Sequence, residues 1–423
     1  MPFIRFYFLF FVLTASMARL DAEGWEEVKI GRQPYVTFES FCAFYQFESV
    51  AVPEKDPFEI SSPYGKLQLT PNSRNMYWNG RRVWLSFAFV RDEAGNGFVS
   101  KLDVIKLFDP LLRRGEMAPR KKLEGVIIDA GHGGTDKGAS NRAGTLEKNA
   151  TLDTAKRLKV LLDTAGIPNK MTRSQDEFIL LEERASIANK YPGWIFVSLH
   201  YNSGPPHAHG VETYSLTPQY SSSTGDSGRP TVKDRISEPG NAQDTLNLVL
   251  ADYMHQEISK MHTREGDRGL KRARFVVLRN VTIPGVLVEG GFLSNSLDAK
   301  LISTGSYRQK MAQAVANAVQ SYAKLMDSPL ERAPLSFQPA SKTNNPKYEP
   351  TPTSVPVPTP TEAPEPLEPT PEAAPTPAEA VKKSAAPVST EAPEVLLSKP
   401  VLAPRPAEQE DDPSVKKDEK PKE

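Results

Sequence analysis

The run Gly125-Val126-Ile127-Ile128-Asp129 constrains the fold more than any other stretch of this chain. It is continuously apolar up to Asp129, as a strand buried on both faces of a parallel sheet must be; a strand with one wet face would alternate. A sheet of that kind needs helices on both sides, and the sequence supplies them in turn. Leu152, Ala155, Leu158, Leu161 and Leu162 recur at helical spacing and stop at Gly166-Ile167-Pro168. Further strands are expected at Trp194 to Leu199, Gly210 to Leu216, Arg274 to Leu278 and Gly285 to Val288, with helices at Leu180 to Lys190, Ala242 to Met261 and Tyr307 to Leu325. The alternation predicts an α/β fold over residues 123–326: an open, mostly parallel sheet with helices on both faces.

The flanks read differently. Arg5, the apolar run Phe6 to Leu13 and the small residues Ala15, Ser16 and Ala18 have the layout of a cleavable secretory signal over residues 1–22. That run is too short to span a bilayer, which takes about 20 apolar residues, so no membrane span is expected after cleavage. Residues 25–113 alternate apolar and polar residues and contain Asn79-Gly80, a two-residue hairpin turn signal between Met76-Tyr77-Trp78 and Arg82-Val83-Trp84-Leu85. A strand followed by a short helix is expected twice there, at Tyr35-Val36-Thr37 before Phe38 to Phe47 and at Phe98-Val99-Ser100 before Leu102 to Phe108. This pattern, a small separate α+β domain, resembles the copper amine oxidase N-terminal-like (stalk) domains. The basic stretch 114–122, interrupted by Pro119, reads as a linker. Of the 38 prolines, 22 lie between Pro329 and Pro421, so residues 327–423 are expected to be a disordered Pro-rich tail that acts as an extended spacer.

One cysteine, Cys42, rules out an intramolecular disulfide and a thiolate metal cluster, so any metal must sit on His, Asp or Glu. Lys plus Arg and Asp plus Glu are 52 each, which gives no sign of a nucleic-acid partner or a polybasic membrane anchor. No histidine precedes His132.

In an open α/β sheet ligands bind beyond the carboxyl ends of the strands. Three expected strands end on chemistry-bearing residues: Asp129-Ala130-Gly131-His132-Gly133-Gly134, Ser198-Leu199-His200-Tyr201-Asn202 and Val288-Glu289-Gly290-Gly291-Phe292. Glu147 falls at the expected start of the helix after the glycine-rich loop. Two imidazoles and a carboxylate suit Zn2+, and three protein ligands leave a fourth position for water. His132, Glu147 and His200 are therefore the candidate ligands. Glu289 is the candidate catalytic acid and base, free to take a proton from that water and pass it to a leaving nitrogen. Each signal alone has a plainer reading: a tight turn or phosphate loop at 129–134, a satisfied core histidine at His200. Their joint placement favours a metal site.

The runs Ile128 to Ala139, Glu147-Lys148-Asn149, Ser198 to Asn202 and Val288 to Asn295 together resemble the zinc-dependent N-acetylmuramoyl-L-alanine amidases of the type 3 group. The resemblance implies hydrolysis of the amide between N-acetylmuramic acid and L-alanine in peptidoglycan during cell separation or wall turnover, and the signal-like segment implies action in the periplasm or outside the cell. It also implies zinc on His132, Glu147 and His200, and catalysis by Glu289. Lys137 and Tyr201 depart from the common pattern and are expected to bear on substrate fit. His207 and His209 read as solvated loop residues beside the site.

Some family members carry an inhibitory helix over the zinc that a protein activator releases. The insertion Thr217 to Gly240 lacks a helical period and is expected to be a flexible flap. Asp267 to Lys271 is a candidate to hold the anionic stem peptide, with a solvated charged loop the equal alternative. Two other functions stay open: a zinc peptidase, against which the match over Gly285 to Asn295 argues, and a non-catalytic wall-binding scaffold, against which the presence of all four site residues argues.

Overall fold

The computed structural model describes residues 25–329 except Ser49, 117–120 and Ser227. The expected signal, the tail beyond residue 329 and the middle of the expected linker lie outside the described residues.

The first strands are β1 (Glu27–Ile30) and β2 (Gln33–Thr37), followed by helix α1 (Phe38–Tyr45), whose N-cap Thr37 accepts from Ser40 N. Then come β3 (Phe58–Ser62), β4 (Gly65–Leu69), β5 (Ser73–Trp78), β6 (Arg81–Arg91) and β7 (Gly97–Ser100), all antiparallel to their neighbours in this part of the chain. Asn79 and Gly80 both have positive φ, 48° and 78°, as a two-residue turn between β5 and β6 requires. A helical stretch over 101–112 with a π-helical middle, Val104–Phe108, closes this part.

The second part contains β8 (Gly125–Ala130), α2 (Glu147–Thr164), β9 (Asn169–Met171), α3 (Leu181–Ala188), β10 (Trp194–Asn202) and β11 (Val211–Leu216). It continues through α4 (Asp244–Ile258), β12 (Asp267–Ala273), α5 (Val276–Asn280), β13 (Gly285–Phe292), α6 (Ser296–Ile302) and α7 (Gly305–Asp327). The strand order β12-β11-β13-β10-β8-β9 is parallel at every seam except β11 against β13, so the mostly parallel α/β sheet expected from the sequence is what forms. Val126, Ile128, Val197, Val286 and Val288 bury one face against α2, α4 and α7, while Ile127, Phe196 and Leu287 bury the other with Ala185, Val277 and Leu278. Both faces of the central strands are dry, which is why those strands do not alternate.

The strand expected at Arg274 to Leu278 needs correcting. Residues 274–278 form no strand: α5 begins at Val276, and Val277 and Leu278 pack with Ala185 and Ala188. A short apolar run does not tell a strand from a turn of helix, and β12 has already taken the sheet position beside β11. That strand is built from the charged segment Asp267 to Lys271 together with Arg272 and Ala273, so this segment is not a solvated loop.

The N-terminal part does not stand apart. β6 joins β12 at Val83 and Leu270, and one hydrophobic core runs from Phe41, Phe89 and Phe108 through Val83 and Leu270 to Met254 and Val286. Arg81 and Arg114 both reach buried Asp252 on α4, at 3.1 and 3.0 Å. Ile60, Leu67, Leu69 and Met76 of the small sheet belong to that same core. No helix among the described residues is long and apolar enough to cross a membrane.

Candidate active site

β10 lies between β8 and β13 and runs parallel to both, with Ser198 opposite Asp129 and His200 opposite Glu289. Side chains at these strand ends therefore emerge at one end of the sheet. Just past β8 the chain turns at His132, which has φ 59°, a conformation that non-glycine residues seldom adopt. The turn swings the imidazole across the strand tips.

His132, Glu147 and His200 meet there, each offering one ligand atom within 4.8 Å of the others. Glu147 is the first residue of α2, where the helix dipole favours a carboxylate. Its Oε1 lies 3.1 Å from His132 Nε2 and 3.0 Å from His200 Nδ1. Four-coordinate zinc with bonds of about 2.0–2.1 Å sets neighbouring ligand atoms about 3.3 Å apart, so this donor set fits such an ion with little adjustment. Gly138, at φ 62°, is needed for the approach: a Cβ there would sit 2.5 Å from Glu147 Oε2 and 2.7 Å from the His132 ring.

A second layer fixes His132 and Glu147. His132 Nδ1 bonds Asp136 Oδ2 at 2.8 Å, which turns Nε2 toward the group. Glu147 accepts from Ala139 N at Oε2 and from Tyr201 N at Oε1. Burial works to raise the Glu147 pKa, but the two histidines outweigh it and hold the carboxyl far below its usual range. Two arginines hold the loop itself. Arg184, 2 % exposed, reaches Asp129 Oδ1, Ala130 O and His132 O; Arg173, 1 % exposed, reaches Ala130 O, Gly131 O and Lys148 O. Asp129 also accepts from Thr172 and Ser198, so it anchors the loop and is no ligand.

Glu289 arrives from β13, buried, and its Oε2 has no hydrogen-bond partner among the described residues. Burial first, and then the carboxylates of Glu147 and Glu212, push its pKa well above the usual range. Glu212 stands opposite it on β11 and is held by Arg268, Lys271, Tyr214 and Asn202.

Glu212, Arg173 and Arg184 were missed in the sequence. Arg184 left a signal, since with Ala185 and Ala188 it falls on the apolar face of its helix, where a charge implies a buried partner. His207 is exposed, and neither it nor His209 joins the metal-ligand group. Tyr201 is 1 % exposed with its hydroxyl 2.7 Å from Thr154 Oγ1, so it packs against α2 instead of shaping substrate fit.

The insertion 217–240 is no flap over this site. β11 runs against β13, so the chain leaves Leu216 at the opposite end of the sheet. There Arg274 ties it down through Asp234 Oδ1, Pro218 O and Ser221 O.

Parallel strand tips that converge a His-Glu-His group beside a buried, unpaired glutamate define a hydrolase of open α/β fold with a group able to hold a metal. Comparison with known proteins narrows this class. The Amidase_3 family, described as N-acetylmuramoyl-L-alanine amidase, matches residues 126–321. The chain is 32% identical over 247 residues to N-acetylmuramoyl-L-alanine amidase AmiA of Escherichia coli, covering 52% of this chain and 85% of that one. It is 36% identical over 197 residues to the uncharacterized protein YqiI of Bacillus subtilis, covering 47% and 84%. Among solved structures, N-acetylmuramoyl-L-alanine amidase AmiC2 of Nostoc punctiforme is 30% identical, with 48% of this chain and 99% of that chain covered and a TM-score of 0.39. This chain belongs to the type 3 N-acetylmuramoyl-L-alanine amidase family. It is an enzyme of the cell wall that acts on peptidoglycan.

Proposed function

We propose that His132, Glu147 and His200 hold Zn2+ and that Glu289 is the catalytic acid and base for cleavage of the amide between N-acetylmuramic acid and L-alanine. The observation that carries this reading is the convergence of three donors on one point, with Glu289 opposite the ligand His200 across the β10–β13 seam. Bound there, Zn2+ would lower the pKa of a water toward about 7 and polarise the lactyl carbonyl.

Glu289 does the rest of the proton work. Its raised pKa makes the carboxylate a competent base, and its buried Oε2 has no hydrogen-bond partner among the described residues, so no other group competes for the proton there. The carboxylate takes the proton as the water oxygen bonds to the carbonyl carbon. It then gives that proton to the alanine nitrogen as the C–N bond breaks, since an unprotonated amine leaves poorly. Arg173 and Arg184 hold the backbone of the His132 loop rigid throughout.

The signal-like segment 1–22 supports export, with action in the periplasm or outside the cell; residues 25–113 then position the catalytic part 123–326, and 327–423 serve as a spacer. A protein activator would have to act other than by lifting the insertion 217–240. The test is digestion of purified peptidoglycan by the mature chain with and without a chelator, with metal content measured alongside. Chelator-sensitive release of intact stem peptides from uncut glycan, with one zinc per chain, supports the reading; cuts within the stem, or full activity without metal, would refute it.

A further inference from the structure

The sheet face that carries Glu289 continues beyond the catalytic strands onto the N-terminal hairpin. From β13 the order runs β11, β12, β6, β5, and side chains on this face are in step: Glu289 opposite Glu212, then Arg268 and Lys271 bonded to Glu212, then Arg82 and Trp84, then Tyr77 opposite Arg82. Val83 and Leu270, paired where β6 meets β12, point into the core on the other face, which fixes Arg82 and Trp84 on this one. Helices α3 and α5 cover this face only over the central strands. Over β12 and β6, Arg82, Trp84, Arg268 and Lys271 are partly exposed.

The join is built for contact. Trp84 Nε1 donates to Arg268 O, and Arg82 N donates to Asp267 Oδ2. Gly269, at φ 96°, leaves room for the Arg82 side chain to lie across β12; a Cβ there would meet Arg82 Cγ at 2.9 Å. Glu212 answers Arg268 and Lys271, but no carboxylate pairs with the Arg82 guanidinium among the described residues, and its polar contact is Tyr77 Oη at 2.9 Å. Three cations on this surface therefore share one carboxylate beyond Glu289.

We infer that Arg82 and Trp84 of the N-terminal part, with Arg268, form a subsite for the anionic stem peptide of the substrate. The inference rests on the amidase reading above and deepens it. Three strand spacings of about 4.8 Å carry the surface about 14 Å from β13 to β6, and an extended peptide of four residues spans about the same at about 3.4 Å each. A stem starting at the scissile nitrogen beside Glu289 thus reaches Arg82 with its distal free carboxylates, where Arg82 and Arg268 can bind them and Trp84 offers an apolar wall. The N-terminal part is then a piece of the substrate site, and not only a tether.

The experiment compares Arg82→Glu with the unaltered full chain on two substrates: muramyl-L-alanine, too short to reach β6, and a muramyl tetrapeptide. The expected result is a KM for the tetrapeptide raised about fivefold or more, as for loss of a partly exposed charge pair, with kcat and the muramyl-L-alanine kinetics unchanged. Equal kinetics on both substrates would overturn the subsite. Should Arg82→Glu lose stability, Arg82→Gln decides the matter, because it keeps the side-chain stem over Gly269 and removes only the charge. Failure of the unaltered chain to cut either substrate at the lactyl amide would count against the amidase reading itself; tetrapeptide binding to Glu289→Gln, lost in Glu289→Gln/Arg82→Gln, would still report on the subsite.

Discussion

Glu212 and Glu289 face each other across the antiparallel β11–β13 seam and end in opposite electrostatic states. Burial raises the pKa of both, but Lys271 leads the groups that pull Glu212 below its usual value, whereas Glu289 meets two carboxylates and stays high. One member of the pair is a fixed anion and the other is free to exchange protons.

That asymmetry makes Glu289→Gln a clean probe. The variant is expected to keep its metal and its melting temperature while kcat falls by about 10²- to 10⁴-fold, the usual worth of a general acid and base. Metal analysis beside turnover on a soluble muropeptide checks it, and normal turnover would remove Glu289 from the chemistry.

Glu212→Ala should act through stability. It strands Lys271, 13% exposed, without its carboxylate, and Arg268, 34% exposed, only in part. A loss of about 2–3 kcal/mol is expected, below the full cost of breaking a buried pair because Arg268 is partly solvated. Urea unfolding measures it, and Glu212→Gln, which keeps the shape, should lose less.

Arg184→Leu is expected to weaken metal binding without touching a ligand. It cuts the bonds to Asp129, Ala130 O and His132 O that hold the turn at His132. Affinity should drop by about 10- to 100-fold, as when outer partners of a metal site are lost. Competition with a chelator of known strength reads this directly; unchanged affinity would show that Arg173 alone suffices.

Acid should loosen the junction between the N-terminal part and α4. Burial works to raise the Asp252 pKa, but Arg81 and Arg114 outweigh it and depress it in the folded state. Its contribution is therefore fully present above the unfolded carboxylate pKa of about 3.9, and is lost as pH falls through the lower folded value. Unfolding followed from pH 6 down to pH 2 should show that loss, and Asp252→Asn should lack this part of it while being less stable at pH 6.

Removing 218–239 should give no gain in kcat, since this segment sits at the far end of the sheet from the His132 group. Peptidoglycan release by the deletion variant is the check, and a large increase would mean that the segment reaches the site.

Much of this protein is local and was legible in the sequence. The apolar runs of β8, β10 and β13, the Asn79-Gly80 turn, the helical spacing in α2 and α7, His132, His200 and Glu289 at or just past strand ends, and Glu147 at a helix start all follow from residue type and short-range period. Only the tertiary structure decided the direction of β11, the pairing of β12 with β6, the burial of Arg173 and Arg184, and the meeting of Glu212 with Glu289. The reason is physical: a backbone period reports which face of a segment is apolar, but strand direction and long-range register are set by which distant faces bury one another and which buried charges find partners.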